Sequence, residues 1–186
     1  MTGLNQKINT QKRIIVIVGP SGSGKTAISK ELAKRGYPKL VTSTSRLPRV
    51  GELEGVDYYF LDRSDFNDGD FVEHTNYNEN IYGLSKAEVI RKLTDYDTVQ
   101  LAMDQNGAQA MLDKFPEETV IVFVTISKKT MAERMRARGD GEDEIQARIQ
   151  HSVENGEYIP PQGTQLCLEN NDLDECVQAI VDLIGQ

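Results

Sequence analysis

The chain has 186 residues, 38% of them hydrophobic and 27% charged, the balance of a single globular domain rather than a disordered tail or a multidomain assembly. Its 21 Lys and Arg against 29 Asp and Glu leave a net charge of −8. That excludes a generic binder of phosphate backbones, so polymeric nucleic acid is not an expected partner and any phosphate must be held by a local cluster of donors. No apolar run approaches the roughly 20 residues that cross a bilayer. Residues Met1 to Arg13 lack the apolar stretch and cleavage site of a secretory signal, so the expected location is the cytoplasm and no membrane partner is expected. Cys167 and Cys176 form no CxxC pair and have only His74 and His151 as companions; neither a disulfide framework nor a zinc site is expected.

In chain order, Arg13 to Val18 (RIIVIV) is a short apolar run rich in Ile and Val, the pattern of a strand buried on both faces of a parallel sheet. A Gly-rich turn follows, and Lys25 to Arg35 then carries Ile28 and Leu32 at helical spacing. Thr42 to Phe71 breaks the pattern: Pro48, Gly51, Gly55, many charges and Tyr58-Tyr59-Phe60 predict a small inserted lobe of short strands and turns. Beyond it, helix-like stretches at Lys86 to Leu93, Ala108 to Lys114, Lys129 to Ala137 and Asp143 to Glu154 alternate with strand-like runs at Thr98 to Met103 and Val120 to Ile126. Such alternation predicts an α/β fold with right-handed crossovers. Arg138 to Glu144 (RGDGEDE) is a charged segment whose two glycines suit a hinge. Cys167 is expected as a small buried hydrophobe, and both histidines as solvent-exposed.

Gly19-Pro20-Ser21-Gly22-Ser23-Gly24-Lys25-Thr26 satisfies G-x-x-x-x-G-K-[ST] between a predicted strand and a predicted helix, the context that gives this motif its meaning. Glycines let backbone N–H groups converge on phosphate oxygens, and the helix N-terminus adds its dipole. Lys25 is placed to neutralise β and γ phosphates, and Thr26 to offer a hydroxyl to Mg²⁺. The cradle identifies ATP-type donors without identifying the acceptor, since kinases, GTPases and motor ATPases share it. A GTPase would need a guanine-reading NKxD run, and the sequence has none.

The acceptor is suggested by Thr42-Ser43-Thr44-Ser45-Arg46-Leu47-Pro48-Arg49-Val50-Gly51-Glu52 followed by Gly55-Val56-Asp57-Tyr58-Tyr59-Phe60. This stretch resembles the GMP-binding lobe of the guanylate kinase family. The likeness continues at Phe71-Val72-Glu73, Ile81-Tyr82-Gly83, Asp104-Gln105-Asn106-Gly107, Arg134, Arg138-Gly139, Arg148 and Asn170. The resemblance implies a P-loop NTPase three-layer α/β fold with a parallel sheet, a small inserted acceptor lobe at about 42–88 and a helical lid at about 128–148, the core taking about 13–41, 96–127 and 149–186. It implies transfer of the γ-phosphoryl group of ATP to GMP or dGMP, with Mg²⁺ accompanying the donor.

By that resemblance, Arg46, Arg49, Tyr58 and Tyr82 hold the acceptor's phosphate, which suits guanidinium forks and phenolic donors. Glu73 and Asp104 accept from the guanine N1–H and amine, Thr42 contacts the base through its hydroxyl, and Asn170 lies at the adenine loop. Lys25, Arg46, Arg134, Arg138 and Arg148 are the expected catalytic cations, the last three from the lid. Asp104 also follows an apolar run, as a Walker B acid does. Two positions depart from the family pattern. Leu84 replaces the Ser or Thr whose hydroxyl serves the guanine O6, a predicted loss of about 1–3 kcal/mol if that oxygen is buried unpaired. Ala102 replaces the first acid of a D-x-D run, and both the Phe66 to Phe71 segment and the lid are slightly short. Two alternatives remain at this point: a kinase of the same fold acting on another phosphorylated acceptor such as ribose 1,5-bisphosphate, or a non-catalytic guanylate-kinase-like binding module.

Overall fold

The computed structural model describes residues 12–77 and 79–185. In chain order these form β1 (Arg13–Val18), α1 (Lys25–Lys34), β2 (Ser43–Thr44), β3 (Tyr59–Phe60), β4 (Phe71–Tyr77), β5 (Asn80–Ser85), α2 (Lys86–Asp95), β6 (Thr98–Ala102), α3 (Gln105–Lys114), β7 (Thr119–Thr125), α4 (Lys128–Ala137), α5 (Glu142–Glu154), β8 (Thr164–Glu169) and α6 (Leu173–Ile184).

The core sheet has the order β6-β1-β7-β8, and every pairing in it is parallel. β1 is central, so both of its faces are covered and its apolar run is unbroken. Ile14, Val16 and Val18 face a cluster with Met111 of α3 and Val89 of α2. Ile15 and Ile17 face Ile28 and Leu32 of α1 and Val177 and Ile180 of α6 on the other side. The result is three layers, helix on sheet on helix, as expected. Beyond β6, Pro38 to Leu40 run alongside Gln100: its N–H donates to the Pro38 carbonyl at 3.0 Å and its carbonyl accepts from Leu40 at 2.8 Å.

A second sheet, order β3-β2-β5-β4, builds the inserted lobe with antiparallel β2–β5 and β4–β5 pairs. Where the chain leaves the core for this lobe, the buried Glu88 carboxylate accepts from the Val41 N–H at 3.1 Å and from the Tyr59 hydroxyl at 3.0 Å. Arg91, one turn further along α2, adds a charge-assisted bond at 2.7 Å, so this buried acid is fully partnered. Nothing in the sequence singles out Glu88 except its helical phase beside Val89.

α4 and α5 form a hairpin, closed by Met131, Met135 and Ile145 and turning at Gly139, whose φ of 93° needs glycine. The expected lid boundary at 148/149 falls inside α5, which runs unbroken to Glu154. Three expectations need correction. Residues 164–184, to which no element was assigned, form β8 and α6. β8 is an edge strand with alternating burial, so it lacks the continuous apolar run that marks a central strand. Cys167 is exposed, not buried, because period two sends Leu166 and Leu168 to the core face and Cys167 to the other. His74 is half-buried, edge-on to Phe71 at 5.9 Å and paired with Asp68 at 2.7 Å.

Candidate active site

The glycine loop joins β1 to α1 in a conformation that side chains would obstruct. A Cβ on Gly19 would lie 1.9 Å from the Val124 carbonyl oxygen, and one on Gly24 would lie 2.1 Å from the Asn170 amide nitrogen. Gly24 caps α1 at φ 96° with no side-chain hydrogen bond, so the first N–H groups of that helix face the cavity rather than a cap. The Lys25 ammonium donates to the Gly19 and Pro20 carbonyls at 2.6 and 2.9 Å. Burial pushes its pKa down, and the nearby Glu157 charge opposes that.

A cavity of about 790 Å³ opens from this loop, lined by Ser21, Gly22, Gly24, Lys25 and Thr26 and, across from them, Arg134, Arg138 and Asn170. Asn170 is buried and ties the cavity wall to the loop. Its side-chain amide donates to the Ser23 carbonyl at 2.7 Å, and its backbone carbonyl accepts from Arg134 at 2.7 Å. Pro20 and Ser23 shape the loop from within; Ser23 is fully buried. Lys30, one turn beyond Thr26 on α1, also lines this cavity, a cation that the motif does not include.

In the lobe, Arg46, Arg49, Tyr58 and Tyr82 converge on one pocket of about 430 Å³, together with Glu52 and Thr75. Glu52 grips the Arg46 fork with both oxygens, at 2.8 and 2.9 Å, and accepts from the Arg49 N–H at 2.7 Å. These bonds, Arg46 first, hold the Glu52 carboxyl below the usual range. The Arg46 guanidinium also lies 5.5 Å from the Tyr58 ring centre, and a bond to Tyr82 contributes to raising its own pKa. A basic, phenol-lined concavity of this kind suits a single phosphate group. Thr75 was missed by sequence reading; it faces Tyr82 across the β4–β5 pair. Thr42 does not line this pocket, and its carbonyl accepts from the Tyr59 N–H at 2.9 Å.

Glu73 stands two residues before Thr75 on β4, hence on the same face and one pleat repeat away, about 7 Å. Its carboxyl pKa is raised by burial first and by Asp104 second, while His74 opposes the shift. The two carboxylates expected at the base therefore sense each other. Asp104 caps α3 by accepting from Gly107 at 2.8 Å. It also lines a smaller cavity of about 180 Å³ with Gly19, Ser21 and Lys25 of the phosphate loop and with Glu157, so it stands between the loop and the lobe.

Leu84 is fully buried and packs with Val72 and Val89 in the core cluster. It does not line the lobe pocket, so a hydroxyl at this position would enter the core instead. Leu84→Thr is expected to destabilise the fold by about 2–4 kcal/mol through lost apolar packing and a buried hydroxyl. Urea unfolding checks this; an unchanged midpoint would contradict the placement.

The lid arginines divide. Arg134 and Arg138 line the large cavity, whereas Arg148 is bound outside it, to Glu144 at 2.6 Å and Asp140 at 3.8 Å. The structure does not bring Arg148 to the phosphate loop. Among the described residues no cluster of three or more His, Cys, Asp or Glu could hold a metal ion, and no helix is long and apolar enough to cross a membrane.

A family profile described as Guanylate kinase matches residues 11–186. A guanylate kinase of Fusobacterium nucleatum subsp. nucleatum is 35% identical over 177 residues, spanning 92% of this chain and 95% of its own. One of Prochlorococcus marinus subsp. pastoris is 33% identical over 180 residues, spanning 93% and 97%. The crystal structure of guanylate kinase from Anaplasma phagocytophilum shares the fold, with a TM-score of 0.64 at 22% identity over 94% of this chain and 84% of that one. With a phosphate-type loop, a basic lobe pocket and two neighbouring carboxylates on that fold, the chain belongs to the guanylate kinase family.

Proposed function

We propose that this protein transfers the γ-phosphoryl group of ATP to GMP or dGMP. The observation that carries the reading is the pairing of two separate anion-receiving clusters. The phosphate loop with Lys25 supplies one, and Arg46, Arg49, Tyr58 and Tyr82 supply the other. A GTPase or motor ATPase has no use for the second cluster, since water is its acceptor.

In this reading the donor's phosphates lie against the N–H groups of Ser21 to Thr26, with Lys25 leaving the Gly19 and Pro20 carbonyls to neutralise them. Asn170 flanks the donor's nucleoside end. The acceptor's phosphate lies in the fork of Arg46 and Arg49 with the Tyr58 and Tyr82 hydroxyls. Its base meets Glu73 and Asp104, where guanine presents N–H donors and adenine would present a lone pair to an acceptor. Thr42, just before β2, contacts the base through its hydroxyl in this reading.

Transfer of this kind needs alignment and charge stabilisation more than covalent help, so no general base is assigned. Lys25, Arg46, Arg134 and Arg138 supply the fixed positive charge around the moving phosphoryl group, and Arg148 joins them when the α4–α5 hairpin closes. The residues fit a divalent cation that arrives with the nucleotide rather than a resident one, since the exposed Thr26 offers a hydroxyl beside Lys25 and no metal-holding acidic cluster is present among the described residues. Mg²⁺ bound to the donor would neutralise phosphate charge there.

Calorimetric titration without donor tests the acceptor half of the reading. GMP and dGMP are expected to bind, with AMP at least about 100-fold weaker; equal binding of AMP, or no binding of GMP, would overturn it.

A further inference from the structure

One charged contact at the phosphate loop has no part in the transfer just described. Glu157 lies in the turn that follows α5, and its carboxylate reaches across the molecule to the loop. Oε2 accepts from the Ser21 backbone N–H at 3.1 Å and from the Ser152 hydroxyl at 2.8 Å. The turn is fixed in place by its neighbours. Gln105 donates to the Gly156 and Ile159 carbonyls at 3.0 and 2.9 Å. The Tyr158 hydroxyl meets the Met131 sulfur at 3.1 Å, and the Lys128 ammonium lies 5.8 Å from the Tyr158 ring centre. Glu157 thus enters the small cavity that also holds Gly19, Ser21, Lys25 and Asp104, the space between the donor loop and the carboxylate expected at the acceptor's base.

A carboxylate that accepts an N–H of a phosphate loop and faces its lysine stands where an anionic ligand would stand. We propose that Glu157 is an internal occupant of the phosphate loop, an anionic latch that the donor nucleotide displaces on binding. The inference rests on reading the loop as the donor's phosphate site. A polyphosphate oxygen and Glu157 cannot share the Ser21 N–H, and two negative charges in a cavity of about 180 Å³ repel. Donor binding therefore breaks the bond from the Ser21 N–H to Glu157 before it makes its own.

The test is calorimetric binding of ATP, inorganic pyrophosphate and GMP, each alone, to the wild-type protein and to Glu157→Gln. The variant keeps the side chain's shape and removes its charge. Its Kd for ATP and for pyrophosphate is expected to fall about 3- to 15-fold, with that for GMP unchanged. The gain is expected to shrink as salt is raised, because it is electrostatic. A merely structural role for Glu157 would weaken donor binding or leave it unchanged, and either result overturns the latch. Gln105→Ala, which removes the two bonds that fasten the turn, is a second route: it is expected to tighten ATP binding in the same direction, and wild-type or weaker binding in it also counts against the proposal. Absence of ATP binding in wild type and both variants would overturn the donor-site reading along with the latch. ATP binding without turnover of GMP would count against the proposed acceptor alone.

Discussion

Lys25→Ala is expected to lower phosphoryl transfer by about 10³-fold or more while leaving GMP binding within about twofold of wild type. The asymmetry follows from position. The Lys25 ammonium is held at the mouth of the glycine loop by two backbone carbonyls, the only cation whose place in the motif brings it to the donor's terminal phosphates. The acceptor pocket of Arg46, Arg49, Tyr58 and Tyr82 does not include it. Single-turnover kinetics with saturating ATP, paired with a GMP titration, separates the two effects. Wild-type turnover in the variant would refute the assignment of the loop, and loss of GMP binding would mean that donor and acceptor sites are not separate.

Asp104→Asn is expected to reduce kcat/KM for GMP by about 10²-fold and to narrow the preference for GMP over AMP. Asparagine is nearly as good an N-cap as aspartate, so the bond to the Gly107 N–H and the start of α3 should survive, and the loss reports on the base contact instead of the fold. The same variant gives a pH signature. Burial and Asp104 together raise the Glu73 pKa, and a protonated Glu73 offers one acceptor fewer to the guanine N–H groups. GMP affinity of the wild type should therefore fall as pH is lowered through that raised pKa, beginning above the ordinary carboxylate range. In Asp104→Asn one cause of the shift is gone, so the fall should begin at a lower pH. A GMP affinity indifferent to pH over this range would remove Glu73 from the site.

Much of this could be read in the sequence, and for identifiable reasons. β1, the glycine loop and α1 are local: a buried central strand must be apolar throughout, a phosphate loop must be glycine-rich, and both constraints act within a few residues. The clustering of Arg46, Arg49, Glu52 and Tyr58 in one pocket was readable because they fall within one short stretch of sequence. What could not be read depends on contacts between distant segments. Glu157 meets Ser21 across 136 positions, and nothing in the phosphate-loop motif around Ser21 points to Glu157. Leu84 reads as a missing hydroxyl in the sequence, whereas the fold makes it part of the core beside Val72 and Val89. β8 escaped because an edge strand alternates. α6 escaped with it, although Leu173, Val177, Ile180 and Ile184 stand at helical spacing and Asp172 caps the helix. Arg148 matches the family by position, yet here Glu144 and Asp140 hold it away from the donor cavity.

The lobe also presents Leu47, Val50, Leu53 and Val56 to solvent, all in the segment that carries Arg46, Arg49 and Glu52. Their exposure follows from that segment's work. Its backbone and charged side chains are committed to shaping an anion pocket, which leaves the apolar residues between them without a core to enter. The Arg46–Glu52 fork and the bond between the Asp57 carboxylate and the Leu53 N–H at 2.8 Å tie this region together, so the groups proposed to receive the acceptor also hold local order.

The most direct measurement is ADP release with ATP and Mg²⁺ against GMP, dGMP, AMP, CMP, UMP and ribose 1,5-bisphosphate at equal concentrations. The account predicts rapid turnover on GMP or dGMP, with every other acceptor slower by about two orders of magnitude or more. Turnover fastest on the sugar phosphate, or silence on both guanine nucleotides by a protein that binds ATP, would contradict it.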